Sequence, residues 1–555
     1  MIKRSPHPMI RLALLGLYLA AALALTWPLA LNLTSHLPLG TETSASVAYF
    51  NLWSLRWNEL QISSGMANYW DAPIFYPNEG TFGYSEAMPL TGTAFWLLRG
   101  LGANYTGAYN LVLLLGLALN GYSAFLLARK LRIASGSAAL AGLLALGMPF
   151  VWRELGVLQL VMVWPLLLSW RAWVSFGQRP GWRLAVSAGI WFAAAFWTST
   201  QYALLLSLFV LPAVVIFGRR WLFSRKVWLY LIAGGLTAAL LIAPVLLPQI
   251  RILKGFERST ETVTNLSAQP EDYLRLEKSS LGTQLTPWLR DEDGSGQRLY
   301  PGTGYMLLGT LGIGAAWRMG NRRWAIFCLA GVLLAGLLSL GLNLSLGEWQ
   351  PYQTLRDLYP GFAQMRSPFR LAVFVQLFLA GLAGFGLQLI WRGRGNWGGA
   401  LAIVLVLLTL AEVHPGMARL HDFPEHALNE EWIDWLGGQA PGAVVHIPYV
   451  DSTKSAAFET TALQMLQGLE HGHPLANGYS GFFPASHREL RRWMGNFPDA
   501  ASLQLLRALG VRYAVAEVEW WNSLEDGKRG IGRADLLLLY EDELVRIYAV
   551  LAEGG

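Results

Sequence analysis

The chain has 555 residues, of which 54% are hydrophobic and only 14% charged, whereas soluble domains carry roughly a quarter charged residues. Its single cysteine, Cys328, excludes a disulfide framework. The net charge of +6 does not indicate a nucleic-acid partner, because much of the basic charge sits in short loops between apolar runs, the topology signal of membrane proteins.

In chain order, Met1-Ile2-Lys3-Arg4 precedes a long apolar stretch without a convincing small-residue cleavage site. This predicts a first span and retained anchor with a cytoplasmic N-terminus. Apolar runs over 9–32, 106–128, 135–151, 157–177, 183–199, 201–218, 226–248, 303–317, 323–343, 369–391 and 396–413 predict about eleven spanning helices. A weaker run, 87–101, carries Pro89 and Arg99. If it only dips into the outer interface, the loops holding Arg129/Lys130/Arg132, Arg179/Arg183, Arg219/Arg220/Arg225/Lys226, Arg318/Arg322/Arg323 and Arg392/Arg394 all fall inside. None of them holds an acid. Counting it as a full crossing would place all of them outside, against the positive-inside rule. The expected fold class is therefore an α-helical polytopic protein of the cell inner (plasma) membrane. A transmembrane domain, 1–413, carries outer segments 33–105, 249–302 and 344–368 and a short one at Trp152–Gly156. An extracytoplasmic soluble α/β domain, 414–555, is predicted from helix-like stretches (430–438, 455–468, 486–494, 500–509) and β-rich ones (443–447, 511–516, 544–550).

Motifs of soluble enzymes are absent, and no His/Cys spacing suggests zinc, so no cofactor and no metal is expected. Candidate chemistry lies in the outer segments. In the first, Ala45–Ile62 spaces Val47, Phe50, Trp53 and Trp57 for one side of an interfacial helix. That would hold Glu42, Glu59, Asp71, Glu79 and Glu86 near the membrane surface, where a carboxylate suits a general base. In the second, Arg153, Glu154 and Gln159 sit between two spans. In the fourth, Arg366 and Arg370, four apart, are expected to share one helix face and suit a phosphate, or alternatively to anchor a helix end to lipid headgroups. Asp291-Glu292-Asp293, followed by Gly294, reads as a solvated loop rather than a metal site. His471 and His473 read as structural or surface residues.

Several short segments occur in an order that resembles a family of bacterial and archaeal multi-spanning membrane proteins of the GT-C-like glycosyltransferase type. They are Asn51-Leu-Trp53 with Trp57, Ile74-Phe-Tyr-Pro77, Tyr84-Ser-Glu86, Ala108-Tyr-Asn110, Leu126-Leu-Ala-Arg129, Leu158-Gln159, Leu299-Tyr-Pro-Gly302, Arg366-Ser-Pro-Phe-Arg370, Asn477-Gly-Tyr-Ser480 and the segment Leu505–Tyr513. The resemblance covers nearly the whole chain. It implies a polyprenyl-phosphate sugar donor in the bilayer, an acidic base in the first outer loop, and an extracytoplasmic glycan, lipid or protein acceptor. On that reading Glu42 is the base, with Glu86 or Asp71 as fallback. Arg366 and Arg370 meet the donor phosphate, and Glu154, Gln159, Asn51 and Trp53 are further substrate-binding candidates. The chain departs from the pattern twice: Ser46-Val47 stands where relatives tend to carry Asp, and Val157 where they often carry His. These departures favour the alternative, a non-catalytic GT-C-like binding or assembly subunit of an envelope-glycan system.

Overall fold

The computed structural model describes residues 8–218, 223–291, 294, 296–393, 397–524 and 535–552. Arg219, Arg220, Glu292, Asp293 and Arg394 lie outside the described residues. The chain divides into two compact units: 1–32, 110–244 and 255–420 form one, and 33–109, 245–254 and 421–555 the other.

All eleven apolar runs form helices. Among the described residues, six helical stretches are long and apolar enough to cross a membrane, and a seventh counts if the bent pair Thr200–Ser207 and Val210–Gly218, angled by 42°, is one span. The expectation of about eleven exceeds this number. The helices Pro8–Leu25, Trp182–Thr198, Thr303–Arg318 and Trp397–Val413 have only 16 to 18 residues. At 1.5 Å per residue they reach about 24–27 Å of a hydrocarbon core ~30 Å thick.

The membrane unit packs around aromatic and small side chains. Trp170 stacks on Phe378 with ring centroids 4.5 Å apart, and Trp324, Phe327 and Phe374 close around Trp170. The helices Thr303–Arg318 and Ala372–Gly393 cross where Gly312 lies on the Leu382 carbonyl and Gly386 on that of Leu308. A methyl at either glycine would collide with backbone, so the close approach requires these small residues. Cys328 is fully buried.

The second unit carries a four-stranded sheet, ordered Ala443–Ile447, Val511–Glu517, Val545–Val550, Leu536–Glu541. The first pair is parallel and the other two antiparallel. Val445, Ile447, Ala514 and Ala516 are buried in its core with Leu490, Phe497, Leu503 and Leu506. The helix Ser46–Ser63 belongs to this unit. It is not the one-sided interfacial helix expected, because Phe50, Asn51, Leu52, Trp53, Ser54 and Leu55 are all buried and so cover its whole circumference. The helices Pro89–Gly100 and Glu459–His471 pack against it.

Two further expectations are corrected. Arg366 and Arg370 do not share a helix face: Ser367 is extended (φ −127°, ψ 79°) before Pro368, which starts a short 3-10 turn, Pro368–Leu371. A residue before proline is driven out of the α region, so the regular helix begins only at Ala372. Asp291 is not solvated: it is 2% exposed and ion-paired with Arg298 at 3.1 Å.

Candidate functional site

In the membrane unit, three arginines gather around the turn ahead of the Ala372–Gly393 helix. Arg370 occupies the 3-10 turn and donates from Nη1 to the Gln201 Oε1 at the start of the Thr200–Ser207 helix. Its Nε is buried with no hydrogen-bond partner among the described residues. Arg258 is tied down through its backbone N–H to Ala363 O (3.1 Å) and its Nε to Gln364 O (3.3 Å). Its carbonyl in turn accepts from Arg356 Nη2 at 2.7 Å. Burial first, and then the cations of Arg366 and Arg370, push the Arg258 pKa down to about 9. It stays charged at neutral pH, at a cost that a bound anion would relieve. Guanidinium forks match phosphate bidentately, so the arrangement is one that can take an anion.

Beside it, Arg153 lies over the Phe369 ring (4.4 Å to the centroid), and Arg370 stands 5.9 Å from the same ring. Arg153 pairs directly with Glu154 and donates to Gln297 at 2.9 Å. Glu154 is 5% exposed, so this pairing neutralises a buried carboxylate. Gln159 is half-buried, and its Oε1 has no hydrogen-bond partner among the described residues.

In the second unit, the Ser46–Ser63 helix begins after Ala45, which has no capping side chain. The cap comes from elsewhere: Glu459 Oε2 accepts the Ala45 N–H at 2.8 Å, and its Oε1 lies 3.2 Å from His421 Nε2. A carboxylate there complements the positive helix terminus. Ser46 Oγ lies 3.4 Å from Ser455 Oγ, which sits 2.5 Å from the Tyr479 hydroxyl. Tyr49 meets His421 edge-on at 5.7 Å and donates to Asp422 O at 3.2 Å. Burial, then Glu459 and Asp422, raise the Tyr49 pKa.

The remaining predicted residues of this unit are distributed around the same helix. Glu42 is half-buried in a turn closed by its N–H to Leu39 O at 3.1 Å. Asp71 is exposed, and its Oδ1 accepts the Gly80 N–H at 2.7 Å. Glu86 is half-buried and Glu79 exposed. Asn51 and Trp53 are buried to 0% and 1% exposure. Glu59 is held by Arg56 at 3.0 Å and Arg99 at 3.4 Å. Among the described residues no group of three or more His, Cys, Asp or Glu is arranged to hold a metal ion.

Arg258, Gln201 and Glu459 were not legible beforehand. Each is an ordinary polar residue locally and acquires meaning only through a partner distant in sequence.

A search of curated proteins finds no match. Solved structures do resemble the chain. An arabinofuranosyltransferase from Mycobacteria superposes with a TM-score of 0.55 at 15% identity, over 100% of this chain and 40% of that one. A mutant form of it gives 0.59 at 18%, over 97% and 41%. The Archaeoglobus fulgidus oligosaccharyltransferase in its apo form gives 0.53 at 12%, over 99% and 75%. The chain thus spans about two fifths of the length of the arabinofuranosyltransferase. These likenesses establish a GT-C-like membrane glycosyltransferase fold, and with the apolar helices they make the chain a membrane protein. Residues 63–414, well over half of the sequence, match the family model described as a domain of unknown function, DUF6311, and the chain belongs to that family.

Proposed function

We propose that the protein transfers a sugar from a polyprenyl-phosphate donor to an acceptor hydroxyl or amide outside the plasma membrane. The observation that carries this reading is the convergence of Arg258, Arg366 and Arg370 next to the spanning helix Ala372–Gly393. A lipid-borne phosphate partitions to that depth, and its developing charge as leaving group is what guanidinium groups stabilise. In the transfer, the bond from the acceptor oxygen or nitrogen to the anomeric carbon forms as the bond from that carbon to the donor phosphate oxygen breaks. The acceptor proton passes to a carboxylate and the electron pair leaves with the phosphate. Glu42 is the proposed base and Glu86 the fallback. Asp71 is the weaker candidate, since its Oδ1 is engaged by Gly80. The similarity to an arabinofuranosyltransferase and an oligosaccharyltransferase supports sugar transfer as the kind of reaction.

The reading includes the topology: eleven crossings, a cytoplasmic N-terminus and residues 414–555 outside. Single-cysteine labelling tests it, with Cys328 silent because it is buried. Gly181, Gly320 and Gly395 should label from the cytoplasm, and Gly294 and Gly527 from outside. An external label reaching Gly320 would overturn the parity. The function itself is tested by binding of undecaprenyl phosphate to the purified protein in nanodiscs. Wild type should bind and the Arg366→Ala/Arg370→Ala double variant should not. Equal binding by both would reduce the arginines to helix anchors.

A second reading, a non-catalytic binding or assembly subunit, draws support from one observation. The carboxylates of Glu154 and Glu459 are each committed to a partner within their own unit. It predicts donor-lipid binding without turnover.

A further inference from the structure

Away from the arginine cluster, the membrane unit contains an apolar cavity of about 380 Å³. Its walls come from the helices Trp164–Gln178, Trp182–Thr198, Val210–Gly218 and Arg225–Ile252. Phe176, Ala185, Phe192, Phe217, Trp228 and Gly235 are among the residues lining it. In water such a space would be an unfavourable apolar surface, but these helices lie in a bilayer, where the available filler is hydrocarbon. A space of this size takes up a stretch of hydrocarbon chain.

One end of the cavity is basic. Phe217 accepts a hydrogen bond through its carbonyl from Arg323 Nη1 at 3.1 Å. Arg179 follows the lining Phe176 by three residues, Arg183 precedes Ala185 by two, and Arg225 and Lys226 stand within one turn of Trp228. All four of these bases are exposed. The sequence contains no Asp or Glu between Glu154 and Glu257, so no carboxylate on these helices or their connections neutralises them. Along the Arg225–Ile252 helix, Leu229, Ile232, Leu236 and Leu240 are exposed, at 54% or more each. The cavity therefore borders a lipid-facing surface, not the packed core.

We propose that this cavity is a binding site for an anionic phospholipid. One acyl chain fills the space between the four helices, and the headgroup phosphate rests among Arg179, Arg183, Arg225 and Lys226. Apolar complementarity supplies the grip and the bases supply the headgroup preference, as in basic sites between spanning helices. The site is separate from the proposed donor site and does not depend on sugar transfer.

Two variants separate the two components. Gly235 lines the cavity and has open space where a Cβ would stand, so Gly235→Trp adds its bulk there with no clash at the first side-chain atom. Arg183→Ala/Lys226→Ala removes charge at exposed positions and leaves the cavity lined as before. The full chain is exchanged into micelles with equal amounts of phosphatidylglycerol, phosphatidylcholine and undecaprenyl phosphate, and retained lipid is counted by native mass spectrometry. Wild type should keep phosphatidylglycerol in preference. The double charge variant should lose about fivefold in that preference for each base removed while still retaining lipid, and Gly235→Trp should retain little of either phospholipid. Unselective retention by wild type would overturn the proposal, as would a double charge variant with unchanged preference. Displacement of phosphatidylglycerol by undecaprenyl phosphate in wild type would reassign the cavity to a polyprenyl chain and overturn it too.

Discussion

The arginine cluster of the membrane unit and the carboxylate cluster of the second unit treat charge in opposite ways. Around Arg258 the charges with the largest effect are two more cations, and its pKa falls to about 9. Around Glu459 the arrangement is complementary: a helix N-terminus on one oxygen and an imidazole on the other. Glu59 is likewise held between Arg56 and Arg99. Compensated charge holds a fold together, whereas like charges gathered at a buried position mark a candidate functional site. The carboxylate to test first is Glu42, half-buried in the turn ahead of the Ser46–Ser63 helix.

The largest effect expected is on turnover. Glu42→Gln keeps size and hydrogen-bonding capacity but cannot take a proton at neutral pH. It should fold, insert and bind donor, yet lose roughly 10²–10⁴-fold in transfer rate. Glu79→Gln, at an exposed position, should change little. Full activity in Glu42→Gln, measured with a donor that wild type uses, would move the base to Glu86. If wild type turns over no donor, the non-catalytic reading gains.

Next comes donor affinity. Arg258→Ala, Arg366→Ala and Arg370→Ala should each lose a charge-assisted contact of about 1.5–3 kcal/mol, tenfold or more in Kd by equilibrium titration. Lys at positions 366 and 370 should rescue only in part, being a point charge where a fork is needed. The same comparison predicts no pH dependence around neutrality. A guanidinium keeps its proton even where burial and neighbouring cations lower its pKa, so phosphate binding should be flat there, and a slope would show that a group other than Arg258 titrates.

How much of this was legible in the sequence follows from the distance over which each signal acts. Apolar runs are local, so the helices were found where they were expected. The crossing count is less secure, because a 16-residue helix such as Thr303–Arg318 reads the same whether or not it reaches both faces. Arg366 and Arg370 are visible as a pair, but Pro368 between them spoils their common helix face. Arg258 and Glu459 were not visible, because their roles are set by partners about a hundred or several hundred residues away. The strand Leu536–Glu541 was missed because four consecutive leucines have neither the alternation of a strand nor the length of a helix. Asp291 was misread because the glycines after it suggest solvent, while Arg298 folds back to bury it.

The effect that separates the two units most directly is acid sensitivity. In the second unit His446, His471 and His487 are buried to 3%, 5% and 2% exposure. Burial, with neighbouring positive groups for the latter two, lowers their pKa values to about 3, 3 and 4. A histidine held below its unfolded value near 6.5 favours the neutral form in the fold. Its stabilising contribution is therefore complete above pH 6.5 and is lost progressively as pH falls toward the folded value. Each such histidine should cost about 1.4 kcal/mol for each pH unit below 6.5. Hydrogen-exchange protection of the Ala443–Ile447 strand and the Glu459–His471 helix should drop between pH 6.5 and 5, about tenfold per unit for each histidine. The crossing helices Thr303–Arg318 and Ala372–Gly393, which contain no histidine, should keep theirs. His446 Nε2 has no hydrogen-bond partner among the described residues, so His446→Phe removes a titrating group without orphaning a donor or acceptor through that atom. That variant should fold at pH 7 and show a shallower acid slope, by about 1.4 kcal/mol per pH unit. An unchanged slope would mean that His446 does not stay neutral in the fold, and a parallel loss of protection in the membrane helices would mean that acid acts on the molecule as a whole.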